Sequence, residues 1–486
     1  MEEAQPGGSK CIDAFSVALK QDFDGQGWYT STTQLQLASM QFCLECRGVS
    51  SVPTLNLTLE VATPAGLWMD PNPPDHSAGR EASAMEAEKA YTIKLCTAQE
   101  ASTTEPWLNR ESWPKTSRVP TLSPRGVTWK LPSSALERVR LGLFSRVECF
   151  SFGNLFNESL NNLVLPPTSK RLFVGNGFNQ TVHGFSFPRS LKILTFGRSF
   201  NQQMTDVSWP ENLQEISFGE RFSQQIAGVP WPPTLFKLSL GGFNRSIRGV
   251  AWPESLREIT FGADFNQGVE GISLPASLQV LRFGKEFNQP IASLLWPSSI
   301  KTLVFGDNFN QPVERIVWPP ELHELRFGCW FNKPVGATWP ASLHQLTFGH
   351  FHRSIDDMAW PQSLTSLTLG FWFNWPIADV SWPTSLRHLV FGLSFNQPVA
   401  QISWPQKLQT LAFGKHINRP IFDVIWPEGL QQIVFGERFD QGVVGVSWPS
   451  GLRKLTFGSE IDEPISWPAS LQSLKIGTRV VVPTTA

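Results

Sequence analysis

Leu281-Arg-Phe-Gly-Lys-Glu-Phe-Asn-Gln-Pro-Ile-Ala-Ser-Leu-Leu-Trp-Pro297 is one copy of a phrase that recurs from about Leu165 to the end of the chain. Its apolar-Pro anchors are Leu165, Phe187, Trp209, Trp231, Trp252, Leu274, Trp296, Trp318, Trp339, Trp360, Trp382, Trp404, Trp426, Trp448 and Trp467. Most steps between anchors are equal, as from Trp296 to Trp318. A few are one residue shorter, as from Trp318 to Trp339, and the last, from Trp448 to Trp467, is the shortest. A nearly fixed period of about 22 residues predicts a solenoid, in which each unit buries its apolar face by stacking on its neighbours. The expected fold is a β-rich, leucine-rich-repeat-sized stack of about 15 coils sharing one parallel sheet.

The unit explains itself position by position. In Leu213-Gln-Glu-Ile-Ser-Phe-Gly, Ile216 and Phe218 are two apart, so a strand points both inward and Ser217 outward. The position of Ser217 is most often Thr or Val in other units, as at Thr260, Val304, Thr347 and Val434. A Gly follows every strand, which predicts either a positive φ or a close approach of backbones. Phe then recurs, as at Phe265, Phe287 and Phe309, and reads as a stacked core column. Asn usually comes next, as at Asn266, Asn288 and Asn310, and reads as a buried ladder satisfying backbone groups. Pro at each anchor rules out a helix there, and the anchor Trp are expected to be mostly buried.

Outside the phrase the chain divides into expected regions. Residues 1–125 do not repeat. Strand-like alternation appears around Leu55–Val61 and Tyr91–Leu95, a loop at 70–79, a short polar helix at 80–89 and a Pro/Ser/Thr-rich linker at 103–125. This N-terminal region has no assignable fold. Residues 126–150 hold an imperfect half-unit and read as an atypical capping unit, 151–477 are the repeat solenoid, and 478–486 are a tail.

Composition excludes more than it assigns. The 486 residues carry a net charge of -1, so no global electrostatic argument supports nucleic acid or an anionic membrane. Six cysteines share no repeat register, and the N-terminus lacks a basic, then apolar, leader. The expected setting is cytoplasmic, with free thiols. Cys43-Leu-Glu-Cys46 is a lone pair; Cys11 and Cys96 are loosely placed to complete a zinc site, and no metal is expected. The eight histidines are scattered, and no nucleotide-binding glycine pattern sits in a strand–turn–helix context. Asp206, Asp379, Asp423 and the pair Asp356-Asp357 are the carboxylates worth locating, but no base or metal cluster accompanies them. The chain is therefore read as having no catalytic residues, cofactor or small-molecule substrate.

The phrase Leu-x-x-Leu-x-Phe-Gly-x-x-Phe-Asn-Gln-Pro-Ile resembles the FNIP repeat, a leucine-rich-repeat relative, over roughly 150–477. The resemblance implies a leucine-rich-repeat-like solenoid that binds proteins. In some members an F-box precedes the repeats. Here Trp-Pro replaces Leu-Pro at most anchors, and only a short stretch separates Leu131-Pro-Ser-Ser-Ala-Leu from the repeats.

The leading functional expectation is a non-enzymatic scaffold for a protein partner. Two alternatives stand beside it: a carbohydrate-binding solenoid using an exposed Trp column, and a substrate-recruiting adaptor of a ubiquitin ligase. The candidate partner-binding residues are those that break the repeat. Between the strand Gly and the core Phe, most units carry charged or small residues, such as Lys285-Glu286. Three neighbouring units carry Cys329-Trp330, His350 alone, and Phe371-Trp372; Trp375 replaces the usual Gln, and Leu393 follows in the next unit. Stacking places Trp330, His350, Phe371, Trp372, Trp375 and Leu393 within about 15 Å along one sheet edge.

Overall fold

A computed structural model describes residues 55–62, 90–97, 127–132, 147–165, 167–336, 338–461 and 467–481, the first three segments by their backbone alone. The loop expected at 70–79, the polar helix at 80–89, the linker at 103–125 and the Cys43/Cys46 pair lie outside the described residues. The chain forms two compact units, Met1–Gly175 with Ser186–Leu191, and Asn176–Phe185 with Lys192–Ala486.

In the first unit, β1 (Leu55–Ala62) and β2 (Ala90–Thr97) lie where the alternation predicts strands. They pair antiparallel, and β3 (Val127–Pro132) pairs antiparallel with the other side of β2. β1 also pairs parallel with β4 (Val147–Phe152), and β4 with β5 (Arg171–Val174). Phe152 stacks on Phe156 at 4.1 Å between ring centroids.

The second unit has one strand per coil, from β6 (Ile193–Phe196) to β19 (Ser473–Ile476), each parallel to the next. The register equals the repeat. Leu281 of β10 (Val280–Arg282) faces Leu303 of β11 (Thr302–Val304), its equivalent one full unit on. Leu325 of β12 (Glu324–Arg326) faces Leu346 of β13 (Gln345–Thr347), its equivalent across a unit one residue shorter. β14 (Ser366–Thr368) and β15 (His388–Val390) continue the ladder. Equivalent residues therefore meet whether a coil has its full length or lacks a residue. At the last coil Gly477, at φ +55°, turns the chain so that β20 (Arg479–Val481) pairs antiparallel with β19. These coils form the leucine-rich-repeat-like β-solenoid that the period predicts.

Most coils contribute a strand Leu or Ile, a strand-end Phe or Leu and, after the Gly, a second Phe, nearly all buried; Ile417 and Ile461 take the place of the second Phe in two coils. Phe283 and Phe287 stack at 3.9 Å within a coil, and Phe287 and Phe309 at 6.0 Å between coils. The expected outward position, such as Thr260 or Val304, is half-buried rather than exposed, because the ladder brings an equivalent side chain against it on either side.

Two polar ladders join the coils. Asn288 Oδ1 accepts from the Asn310 backbone N–H at 3.0 Å and from Gln311 Nε2 at 2.9 Å; Asn266 does the same for Asn288 and Gln289. Where both residues occur, Asn and Gln thus link a coil to the one before. These Asn are half-buried, not buried as expected, because the ladder lies at the outer turn of the coil. The Ser of Pro-x-Ser-Leu builds the second ladder: Ser299 Oγ lies 2.7 Å from the Leu278 carbonyl oxygen and Ser277 Oγ 2.7 Å from that of Leu256.

The strand Gly is explained by close approach. A Cβ on Gly262 would lie 1.3 Å from the carbonyl oxygen of Gly241, and one on Gly284 1.7 Å from that of Gly262. Positive φ belongs instead to return-turn glycines such as Gly271. Gly262→Ala is expected to cost about 3 kcal/mol or more, whereas Gly268→Ala, where a Cβ meets nothing within 4 Å, stays within about 0.5 kcal/mol. Denaturant unfolding of the two variants checks this.

Candidate functional site

The edge where the repeat departs from its rule is built by the same turns as every other coil. Phe331, Phe351 and Phe373 keep their places in the core, so the residues between strand Gly and core Phe are pushed to the surface. In most coils two residues span that gap; in the Gly349 coil His350 spans it alone. Around it, Trp330 is 59% exposed, Trp372 49% and Phe371 39%.

His350 is the hub. Its ring centroid lies 5.0 Å from that of Trp330, 5.2 Å from Phe371 and 6.0 Å from Trp372, with Phe371 and Trp372 themselves 5.1 Å apart. Trp375 stands at the Gln position of the Asn-Gln ladder, and the coil before it has His352 where Asn is usual. A Gln at 375 would have no carboxamide oxygen to reach. The ladder is replaced here by ring contact, Trp375 to His352 at 6.0 Å, while His352 Nδ1–H donates to the Trp372 carbonyl at 2.8 Å. Leu393 is exposed one coil further on and makes no ring contact with the cluster. The structure thus gathers Trp330, His350, Phe371 and Trp372, sets Trp375 beside them and places Leu393 on the next coil, where the Ser394 N–H donates to the Phe371 carbonyl at 3.0 Å.

Shortening does not by itself demand aromatics. The Gly241 coil is shortened in the same way, with Gly242 alone before Phe243. It forms an open, polar notch lined by Glu220, Arg221, Asp264 and Glu286.

The anchor Trp have the opposite fate. Trp318, Trp404 and Trp426 are buried, and Trp296, which follows Leu274 rather than another Trp, is half-buried. Trp404 and Trp426 stack at 6.3 Å, as do Trp426 and Trp448. Their faces are covered by one another, which removes the exposed Trp column that carbohydrate binding requires.

Across β10–β15 the strand face is basic. The column ahead of the strands carries Lys301, His323, His344 and Arg387, and the strands add Arg282, Arg326 and His388, against Glu324 alone. Glu324 is already paired with Arg326. The histidines of this face are not scattered: His323 and His344 are one short step of the repeat apart, and their rings stack at 5.2 Å. Counting in units rather than residues would have found them. Asp206, Asp356, Asp357, Asp379 and Asp423 are exposed, and apart from the adjacent pair Asp356-Asp357 each sits on a different coil. Among the described residues no three His, Cys, Asp or Glu side chains converge as a metal site, and no helix is long and apolar enough to cross a membrane.

The family model described as the FNIP repeat matches four stretches, 178–220, 243–286, 287–329 and 373–416. The chain carries FNIP repeats at these four stretches. Among solved structures, it is similar to CroV588, a circular leucine-rich-repeat protein, at 26% identity over 69% of this chain and 70% of that one, with a TM-score of 0.38. An internalin from Listeria monocytogenes is 16% identical over 59% of this chain and 86% of its own, with a TM-score of 0.43. The functional domain of InlJ from Listeria monocytogenes is 10% identical over 66% and 65%, with a TM-score of 0.38. A comparison with curated proteins gives no match.

Beside Trp330, Cys329 is an exposed free thiol. A side-chain hydrogen bond with Asp307, then burial, then the Asp307 charge raise its pKa above the usual value. The reactive form is the thiolate, so a raised pKa lowers reactivity near pH 8. Iodoacetamide is expected to modify Cys329 more slowly than an ordinary exposed thiol, and Asp307→Asn to speed it severalfold, read by peptide mass mapping.

Proposed function

We propose that this chain is a non-enzymatic scaffold that binds a protein partner through the aromatic cluster around His350. The observation that carries this reading is the exposure of Trp330, Phe371 and Trp372 together on one edge, in ring contact with His350. Clustered, partly exposed Trp side chains are the groups that dominate protein interfaces, and they are costly to leave in water without a purpose. The same coils present the basic strand face. The partner that fits both carries apolar anchors flanked by carboxylates, with charge setting orientation and encounter rate more than affinity.

This reading has no catalytic step, cofactor, nucleic acid, membrane or small-molecule substrate in it. The scaffold is the repeat region 151–477, with 126–150 as its cap, 478–486 as a tail, and 1–125 as a separate region. A cytoplasmic setting suits the exposed free thiol Cys329.

The test is Trp330→Ala combined with Trp372→Ala. Each truncation is expected to weaken the partner complex by about 2 kcal/mol, while the thermal midpoint moves by no more than about 2 °C. A large fall in thermal midpoint would mean that these aromatics are core, and the reading would fail. Unchanged recovery of the partner from the folded double variant would also sink it.

A further inference from the structure

The stacked pair His323 and His344 is not used by the aromatic cluster or by the core. Both residues are exposed, both occupy the position just ahead of a strand, and they sit on adjacent coils at the β12–β13 step. Their rings are 7° from parallel with centroids 5.2 Å apart. Each ring is held in the same way. His323 Nδ1 lies 2.5 Å from the Glu321 carbonyl oxygen, and His344 Nδ1 lies 2.5 Å from that of Ser342.

Those contacts decide the tautomer of both rings. A carbonyl oxygen only accepts, so each Nδ1 carries the hydrogen and each neutral Nε2 keeps its lone pair. A ring whose Nδ1–H is held by a backbone carbonyl while Nε2 is bare is how metal-ligating histidines are oriented. Here two such rings are in register on neighbouring coils.

We infer that His323 and His344 form a surface site for a late first-row divalent ion, Cu²⁺, Ni²⁺ or Zn²⁺, bound through the two Nε2 atoms and bridging adjacent coils. Imidazole nitrogen suits these ions. Two metal–nitrogen bonds of about 2.0–2.1 Å set the two Nε2 atoms at most about 4.2 Å apart, so the rings, now 7° from parallel with centroids 5.2 Å apart, tilt their Nε2 edges toward each other on binding. The Nδ1 contacts act as hinges, and exposure leaves the rings free to tilt. The column supplies only two ligands, since Lys301 precedes the pair and Thr365 follows it. Glu324 is engaged by Arg326 and Thr302. The remaining coordination positions therefore open to solvent.

The experiment uses the full chain and Cu²⁺, with His323→Gln, His344→Gln and, as a control on the same face, His388→Gln. In the unsubstituted protein, calorimetric titration is expected to show one binding event that is lost or weakened at least about tenfold in either of the first two variants and kept in the third. Electron paramagnetic resonance should show splitting from two equivalent nitrogens, present only when both histidines are. Thermal midpoints without metal should match across all four proteins, since none of these side chains is buried, and added metal should raise only the two with an intact pair. Equal Cu²⁺ affinity and an unchanged spectrum in His323→Gln and His344→Gln would overturn the inference. So would a loss that His388→Gln shares.

Discussion

The approach of one backbone to the next at the strand Gly sets the scale for the solenoid. With a carbonyl oxygen 1.3–2.3 Å from where a Cβ would sit in unit after unit, the turns after the strands press directly on each other. Parallel strands lie about 4.8 Å apart, and any Cβ in this column would force that spacing open. The core Phe depend on it. Phe305 and Phe327 lie 5.7 Å apart and 10° from parallel, and Phe309 and Phe331 lie 6.1 Å apart and 8° from parallel, close enough for offset stacking. One missing atom in each unit thus permits two aromatic columns.

The polar positions follow from the same spacing. With coils this close, a side chain as short as Asn reaches the equivalent backbone N–H one coil on, and Gln, one residue later and one methylene longer, reaches back to the same oxygen. Ser does likewise at the other end of the unit, where a hydroxyl spans to the carbonyl after the previous anchor. Net gains of about 0.5–1.5 kcal/mol per hydrogen bond are modest singly, but they recur with the repeat. They also fix register, because each link requires a partner at one offset.

Periodicity made the fold legible, since strand, turn and core columns all repeat with the unit. It did not reveal depth. A repeating Asn reads the same whether its column is buried or at the outer turn, and only the coil's cross-section separates the two. Nor did it show pairing: residues 127–132 stand ahead of the regular repeat, and their strand, β3, pairs antiparallel with β2 rather than parallel. The candidate cluster was legible because a departure stands out against a strict repeat. Four of its six residues meet in ring contact around His350, while Leu393 lies on the next coil beside the Phe371 turn. The stacked His323 and His344 were hidden by the shortened step between them, which makes equivalent positions look unrelated when counted along the usual period.

Tryptophan shows how position overrides composition in this chain. At the anchors the indole is followed by Pro, which commits the backbone to an extended path and leaves the ring no turn in which to swing outward. Its two faces are then taken by the indoles of the coils on either side, as Trp426 is by Trp404 and Trp448. The Nε1 atoms of Trp404 and Trp426 are buried without a hydrogen-bond partner, a cost that area burial must offset. Trp330 and Trp372 sit instead where the core place is already held by Phe331 and Phe373, so packing gives them nowhere inward to go. A charged or small residue at those positions, as in the other coils, would leave the stack unchanged. Their exposure is therefore not dictated by the packing of the stack, and it is the observation on which the proposed partner site rests.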